Sequence, residues 1–174
     1  MLSPMDEVPY PDLLERTAAA AEGAPPPDSE EEAAALARFQ SFFEDMTPER
    51  VRTEIASVYA EDALLYDTLA LHEGLDRIRP YFEATAKRAA GVRVAILDVL
   101  RKENDFYVRW SMEIDWSAFK KGKTTRSYGM SHLRFNREGR VVLHFDFWDS
   151  AQGFFEHLPV IGRLIRAVKR RVAK

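Results

Sequence analysis

The spacing of apolar and polar positions changes once along the chain. Up to about residue 90 apolar side chains recur at helical intervals; from Val92 onward they alternate. Ser29 and Glu32 form a capping-box pattern, and Leu36, Phe39 and Phe43 follow on one stripe. Thr47 as N-cap and Pro48 as first helical residue restart a helix whose buried stripe is Val51, Ile55, Val58 and Tyr59. A short strand is predicted at about 63–67, then a third helix over about 74–90, with Pro80 near its first turn or bending it. Four strands follow, at 92–100, 106–116, 124–135 and 141–150. The turns between the last three are "KKGK" at 120–123 and "NREG" at 136–139, where Gly139 suits a positive φ. A final amphipathic helix is predicted over 160–172, after Pro159. Helices first and an antiparallel meander afterwards predict an α+β domain.

Residues 1–28 read as an N-terminal extension. "DLLERTAAAAEG" allows a short Ala-rich helix that "APPPDS" breaks. The domain proper is then 29–150, and 151–174 is a basic amphipathic tail.

The last predicted strand, "VVLHFDFWDS", has an unusual division. Leu143, Phe145 and Phe147 fall on one face; His144, Asp146 and Trp148 fall on the other. Alternation alone allows either face to be the interior. In the strand before last but one, Val108, Trp110, Met112, Ile114 and Trp116 share a face opposite Tyr107, Arg109, Ser111, Glu113 and Asp115, and which face points inward is likewise open.

Composition narrows the function. At 174 residues, 46% hydrophobic and 30% charged, the chain suits one soluble domain, and a net charge of −3 argues against binding nucleic acid as a whole. The absence of cysteine excludes disulfides and thiolate chemistry and fits the cytoplasm. No apolar run approaches the ~18 residues of a membrane span. The charge is uneven: "SEEE" at 29–32 is acidic, while 162–174 holds six bases and no acid. That tail could lie on an anionic membrane, touch nucleic acid, or pack its apolar stripe. Packing, across a dimer, is the reading taken.

The element order, with "VYAEDALLYD" at the end of the second core helix and "SHLRFNREGRVVLHFDFWD" as the final hairpin, resembles the nuclear transport factor 2-like, or SnoaL-like, superfamily over about 33–149. That resemblance implies a cone-shaped domain whose curved sheet wraps helices around a pocket. It turns His144, Asp146 and Trp148 toward the pocket and Leu143, Phe145 and Phe147 to the convex face, where a second subunit of a homodimer is the obvious cover. Asp67 stands where the related ketosteroid isomerases keep their general base. Ser131 stands in place of their acidic oxyanion donor, and Phe39 or Phe43 near the place of their tyrosine. Asp146 matches the final-strand carboxylate of relatives that resemble limonene-epoxide hydrolase, whereas Met112 and Ile114 stand in place of their Arg-x-Asp pair.

The expected activity is therefore cofactor-independent proton transfer or water activation on a small, mostly apolar molecule, as in an isomerase, cyclase or hydrolase. Asp67 would be the base, His144 and Asp146 an acid/base and water-holding pair, and Ser131 a donor. Trp148, Trp110, Met112, Phe39 and Phe43 would line the pocket. Asp67 could equally be a turn cap, and His144 with Asp146 a satisfied polar pair. A metal held by Asp67, His144 and Asp146 is the weaker reading, so no metal or other cofactor is expected. His72, His132 and His157 read as surface or loop residues. The alternative class is a non-catalytic ligand-binding or assembly module whose basic helix meets a membrane or partner.

Overall fold

Two hydroxyl caps start the core helices. Ser29 Oγ accepts from the Glu32 N–H at 3.1 Å and opens α2 (Glu30–Glu44); Thr47 Oγ1 accepts from the Arg50 N–H at 3.2 Å and opens α3 (Pro48–Val58). Glu32 reaches back to the backbone N–H of Asp28 at 2.6 Å, not to that of Ser29. α1 (Tyr10–Ala21) precedes them, and α4 (Leu75–Arg88) carries Pro80 in its interior. This computed structural model describes residues 9–116, 123–153, 155–158 and 160–172. Residues 1–8, Pro159 and most of the turn expected at 120–123 lie outside the described residues.

The strands are β1 (Tyr59–Tyr66), β2 (Leu71–Glu73), β3 (Ala89–Lys102), β4 (Asp105–Trp116), β5 (Lys123–Phe135) and β6 (Val141–Trp148). They form one sheet in the order β2-β1-β6-β5-β4-β3, with β1 and β6 parallel and every other pair antiparallel. β1 starts earlier than its expected 63, because the chain turns extended at once after Val58. β2 falls in a stretch that reads as a turn; three residues are too few to show alternation. Gly139 closes the β5–β6 hairpin with φ 65°. The chain ends in α5 (Ser150–Gly153), a 3-10 turn at Phe155–His157, and α6 (Ile161–Val172). Among the described residues no helix is long and apolar enough to cross a membrane.

The result is an α+β cone. Phe39, Phe42, Phe43, Val51, Ile55 and Ile78 of α2–α4 fill the interior against Val108, Leu133, Phe135 and Val142 of the sheet. In β4, Val108 and Trp110 are buried and Met112 packs on that core, while Arg109 and Glu113 pair outward with Asp98 and Arg126. That fixes the orientation of this strand as Val108-face inward.

β6 is buried on both faces. On the outer one, Leu64, Leu143 and Phe145 cluster with Leu13 of α1, which is 0% exposed. The apolar patch for which the sequence suggested a partner subunit is thus covered by the chain's own first helix, leaving Phe147 partly exposed. α1 also corrects the place of His132. Instead of lying on the surface, this side chain is 1% exposed between α1 and the sheet. It is held by the Tyr10 hydroxyl at 2.9 Å, Asp105 at 2.8 Å and the stacked Tyr107 ring at 4.7 Å. Arg134 ties the layers together by donating to Asp105 and to the Leu14 carbonyl, at 2.5 and 2.6 Å.

Candidate functional site

Three of the four sequence-predicted chemical residues meet on the inner face of β5 and β6. Antiparallel register sets Ser131 opposite Asp146 and Leu133 opposite His144. Ser131 Oγ donates to Asp146 Oδ1 at 2.5 Å; His144 Nε2 lies 2.9 Å from the same oxygen and 3.1 Å from Ser131 Oγ. Trp110 Nε1–H, from β4, donates to Ser131 Oγ at 2.9 Å. Trp110 can lie there because its neighbour across the strands is Gly129. A Cβ on Gly129 would stand 2.4 Å from the Trp110 ring and 2.8 Å from Trp148.

The other imidazole nitrogen settles the tautomer. His144 Nδ1 is 2.6 Å from the Tyr59 hydroxyl, a fully buried group. Burial first, and then the negative charge of Asp146, push the Tyr59 pKa well above the ordinary tyrosine value, so Tyr59 keeps its proton and donates it. No other acceptor for this buried hydroxyl is found among the described residues, so its proton points at Nδ1; in the neutral imidazole Nε2 then carries the proton that points at Asp146. Protons therefore run in one direction, from Tyr59 through His144 to the carboxylate. Asp146 Oδ1 receives two donors. Its Oδ2 has no hydrogen bond to a described residue, and its side chain keeps 17% exposure where that of His144 keeps 5%. The atom free to act is a carboxylate oxygen at the edge of an otherwise sealed polar cluster.

Asp67 is brought to the same end of the cone. It is buried, and its Oδ1 accepts from the Leu69 and Ala70 N–H groups at 2.9 Å each, closing the turn between β1 and β2. Its Oδ2 accepts from the Tyr81 hydroxyl of α4. Burial first, then the charges of Asp67 and Asp146, raise the Tyr81 pKa, which places the Tyr81 hydroxyl within the field of both carboxylates. Trp148 Nε1–H donates to the Asp67 carbonyl at 3.0 Å, so β6 and the β1–β2 turn are clamped together. His72 stacks on Tyr81 at 4.1 Å. Its Nε2 and Thr68 Oγ1 are shielded without a hydrogen-bond partner among the described residues, and Thr68 holds a left-handed φ of 71°.

The expected lining residues divide. Phe39 and Phe43 are core residues whose rings meet the His144 imidazole edge-on at 5.4 and 5.8 Å and so pack it in place. Met112 and Trp148 keep partial exposure beside the cluster. Tyr59 and Tyr81 are the site residues that the sequence reading missed. Tyr59, the first residue of β1, falls on the apolar stripe predicted for the second core helix and reads as core; Tyr81 sits in α4 with no motif around it. The signal that could have found them is a chemical one: a buried His and Asp need hydrogen-bond partners, and a tyrosine hydroxyl on an apolar stripe can supply one inside a core. Among the described residues, no three His, Asp or Glu side chains are grouped to hold a metal ion. A separate open cleft of about 320 Å³ lies between Glu44 and β3–β5, lined by Arg93, Glu113 and Arg126 among others, and none of the cluster residues borders it.

An α+β cone with a polar cluster on its inner sheet face defines the class. Within it, residues 39–144 match the model of the SnoaL-like domain, and the chain belongs to that family. Among solved structures it is similar to an LEH-like epoxide hydrolase from M. tuberculosis: 13% identity, TM-score 0.60, covering 83% of this chain and 96% of that one. It is also similar to a protein from Shewanella putrefaciens assigned to the SnoaL-like polyketide cyclases, at 15% identity, TM-score 0.59, and 72% and 94% coverage. A third, assigned as an isomerase of the SnoaL-like family from Agrobacterium tumefaciens, shares 19% identity with TM-score 0.54, and 70% and 99% coverage. No curated protein matches the chain significantly by sequence.

Proposed function

We propose that this protein binds a small, mostly apolar molecule at the inner end of the cone and moves a proton on it, without a cofactor, as an isomerase, cyclase or hydrolase. The observation that carries this reading is the one-way donor chain Tyr59–His144–Asp146, with Ser131 and Trp110, ending on a single partly exposed carboxylate. Asp146 Oδ2 takes a proton from substrate carbon or from a water that attacks the substrate. The His144 and Ser131 donors on Oδ1 fix the plane of the carboxylate through this step. Met112, Trp110 and Trp148 supply the apolar wall. Asp67, which accepts from the Leu69 and Ala70 N–H groups and from the Tyr81 hydroxyl, closes the β1–β2 turn and holds Tyr81 in place instead of serving as the base. The assignments of the neighbouring structures to epoxide hydrolysis, cyclisation and isomerisation support this class of chemistry, and fold likeness alone carries it no further.

The second reading is a ligand-binding module without turnover. It draws on the same cluster, in which every described donor has an acceptor, as a structural polar core also requires. A panel of small apolar epoxides and cyclic enones separates the two. Binding is read by thermal shift, and turnover by mass spectrometry in ¹⁸O-water or deuterium oxide. Asp146→Asn is expected to melt near the wild-type temperature and to lose turnover by about 10²–10⁴-fold. Turnover equal to wild type in that variant defeats the assignment of the base. Probes that bind but are never converted leave the binding module.

A further inference from the structure

α6 is docked the wrong way round for a surface helix. At 100° per residue, Val160, Ile161, Leu164, Ile165, Val168 and Val172 fall within an arc of about 140°. Such a stripe normally faces the domain. Here the opposite face does. Gly162 is buried against the 3-10 turn, so close that a Cβ would stand 2.2 Å from the Glu156 carbonyl oxygen. Arg166 donates to that carbonyl at 2.6 Å, and Lys169 pairs with Glu156 at 2.7 Å and with Asp149 at 3.5 Å. The polar face is the anchor and the apolar stripe is turned outward: Leu164 is 66% exposed and Val168 54%. Ile165, at the edge of the stripe nearest Gly162, is half-buried, and the rest of the stripe is exposed in the single chain.

The charges around the stripe select its occupant. Residues 160–172 hold five bases and no acid. Arg166 and Lys169 are used in docking, whereas Arg163, Arg170 and Arg171 make no ion pair to a described residue; Arg171 falls within the edge of the stripe, and Arg163 and Arg170 lie on the flank between that edge and the anchors. A second copy of α6 laid on the stripe would set these cations against their own kind. The contact would also be small: a 12-residue helix is about 18 Å long and about 10 Å wide, far below the roughly 800 Å² per partner of a stable interface. An anionic bilayer meets both demands. It takes an apolar stripe some 5–10 Å deep into its headgroup boundary and is drawn to the cations beside it.

We infer that α6 is a membrane-surface helix, anchored to the domain by Gly162, Arg166 and Lys169, which lays the Val160–Leu164–Val168 stripe on an anionic lipid surface. The intact chain is tested by flotation with vesicles of phosphatidylcholine plus phosphatidylserine, and with vesicles of phosphatidylcholine alone. Flotation is expected with the first and is lost in high salt. The double variant Leu164→Asp/Val168→Asp should abolish it. Arg170→Glu/Arg171→Glu should weaken it about tenfold or more. None of these four side chains anchors the helix, so far-UV circular dichroism and the melting temperature of the domain should stay at wild-type values in both variants. The inference is overturned if the intact chain fails to float with anionic vesicles, or if it floats equally well after Leu164→Asp/Val168→Asp. It is also overturned if sedimentation without lipid shows a dimer that this double variant dissolves, since the stripe is then a subunit contact.

Discussion

The Tyr59 hydroxyl is fully buried with His144 Nδ1 as its partner, and this makes Tyr59 the side chain on which the direction of the cluster depends. Tyr59→Phe keeps the ring and removes the donor, leaving a buried imidazole nitrogen unpaired. Chemical denaturation should show a loss of about 1–3 kcal/mol. The ring nitrogen shifts of His144 should move from the Nε2–H form toward a mixture, and turnover on any substrate found should fall. Unchanged stability and unchanged nitrogen shifts would remove Tyr59 from the cluster. Two other histidines set a pH response. Burial, with a smaller contribution from the Arg134 charge, depresses the His132 pKa against the pull of Asp105; burial depresses that of His72 against Asp67. Near pH 6.5 the unfolded chain takes up protons that the folded chain refuses, so stability is complete above that pH and declines as pH falls through it. The melting temperature should therefore drop between about pH 7.5 and about pH 5.5. His132→Gln should melt lower at neutral pH, having lost its contacts to Tyr10, Asp105 and Tyr107, and should show a shallower pH slope. A slope equal to wild type would mean that His132 is not what the folded state protects.

At the scale of elements, local chemistry was legible and partnership was not. Ser29, Thr47 and Pro48 mark helix starts by hydroxyl capping and a missing N–H, and Gly139 marks a hairpin by its positive φ; these are signals within four residues. The inward turn of His144 and Asp146 in β6 was a family register laid on an ambiguous alternation. β6 is ambiguous because both of its faces are buried, the inner by the cone and the outer by α1, so polarity does not separate them. α1 itself reads as an Ala-rich appendage, since only Leu13, Thr17 and Ala21 of its twelve residues are buried. The Tyr10–His132–Asp105 contact that fastens it spans more than a hundred residues and leaves no trace in local spacing. The same limit hid Tyr81, whose hydroxyl is given meaning only by the Asp67 turn that α4 packs beside. α6 shows the reverse case. Its amphipathic pattern was plain, but the pattern does not say which face the domain will hold, and here two polar anchors and a glycine decided it.

For the whole molecule, the question is what closes the outer side of the sheet. In many one-sided sheets that face is either polar or given to a neighbour. Here β3–β5 take the polar solution, with Arg93, Glu113 and Arg126 paired across three strands. β1 and β6 take an apolar one, and α1 supplies the cover through Leu13, Tyr10 and Leu14. Removing residues 1–28 leaves the Ser29 cap of α2 in place, so the cone itself should still fold. It uncovers Leu64, Leu143 and Phe145 and strips His132 and Arg134 of their α1 partners. Losing Leu13 alone is worth about 2–5 kcal/mol by the usual cost of a buried leucine, so the truncated chain should melt well below the intact one. The bared patch should then find the next best cover, a second copy. Sedimentation velocity should show concentration-dependent association of the truncated chain beyond that of the intact one. Leu13→Asp in the full chain should lower the melting temperature in the same direction without shortening anything. If the truncated chain keeps both the melting temperature and the sedimentation of the intact protein, α1 is ornament and the apolar face of β6 must be satisfied in another way.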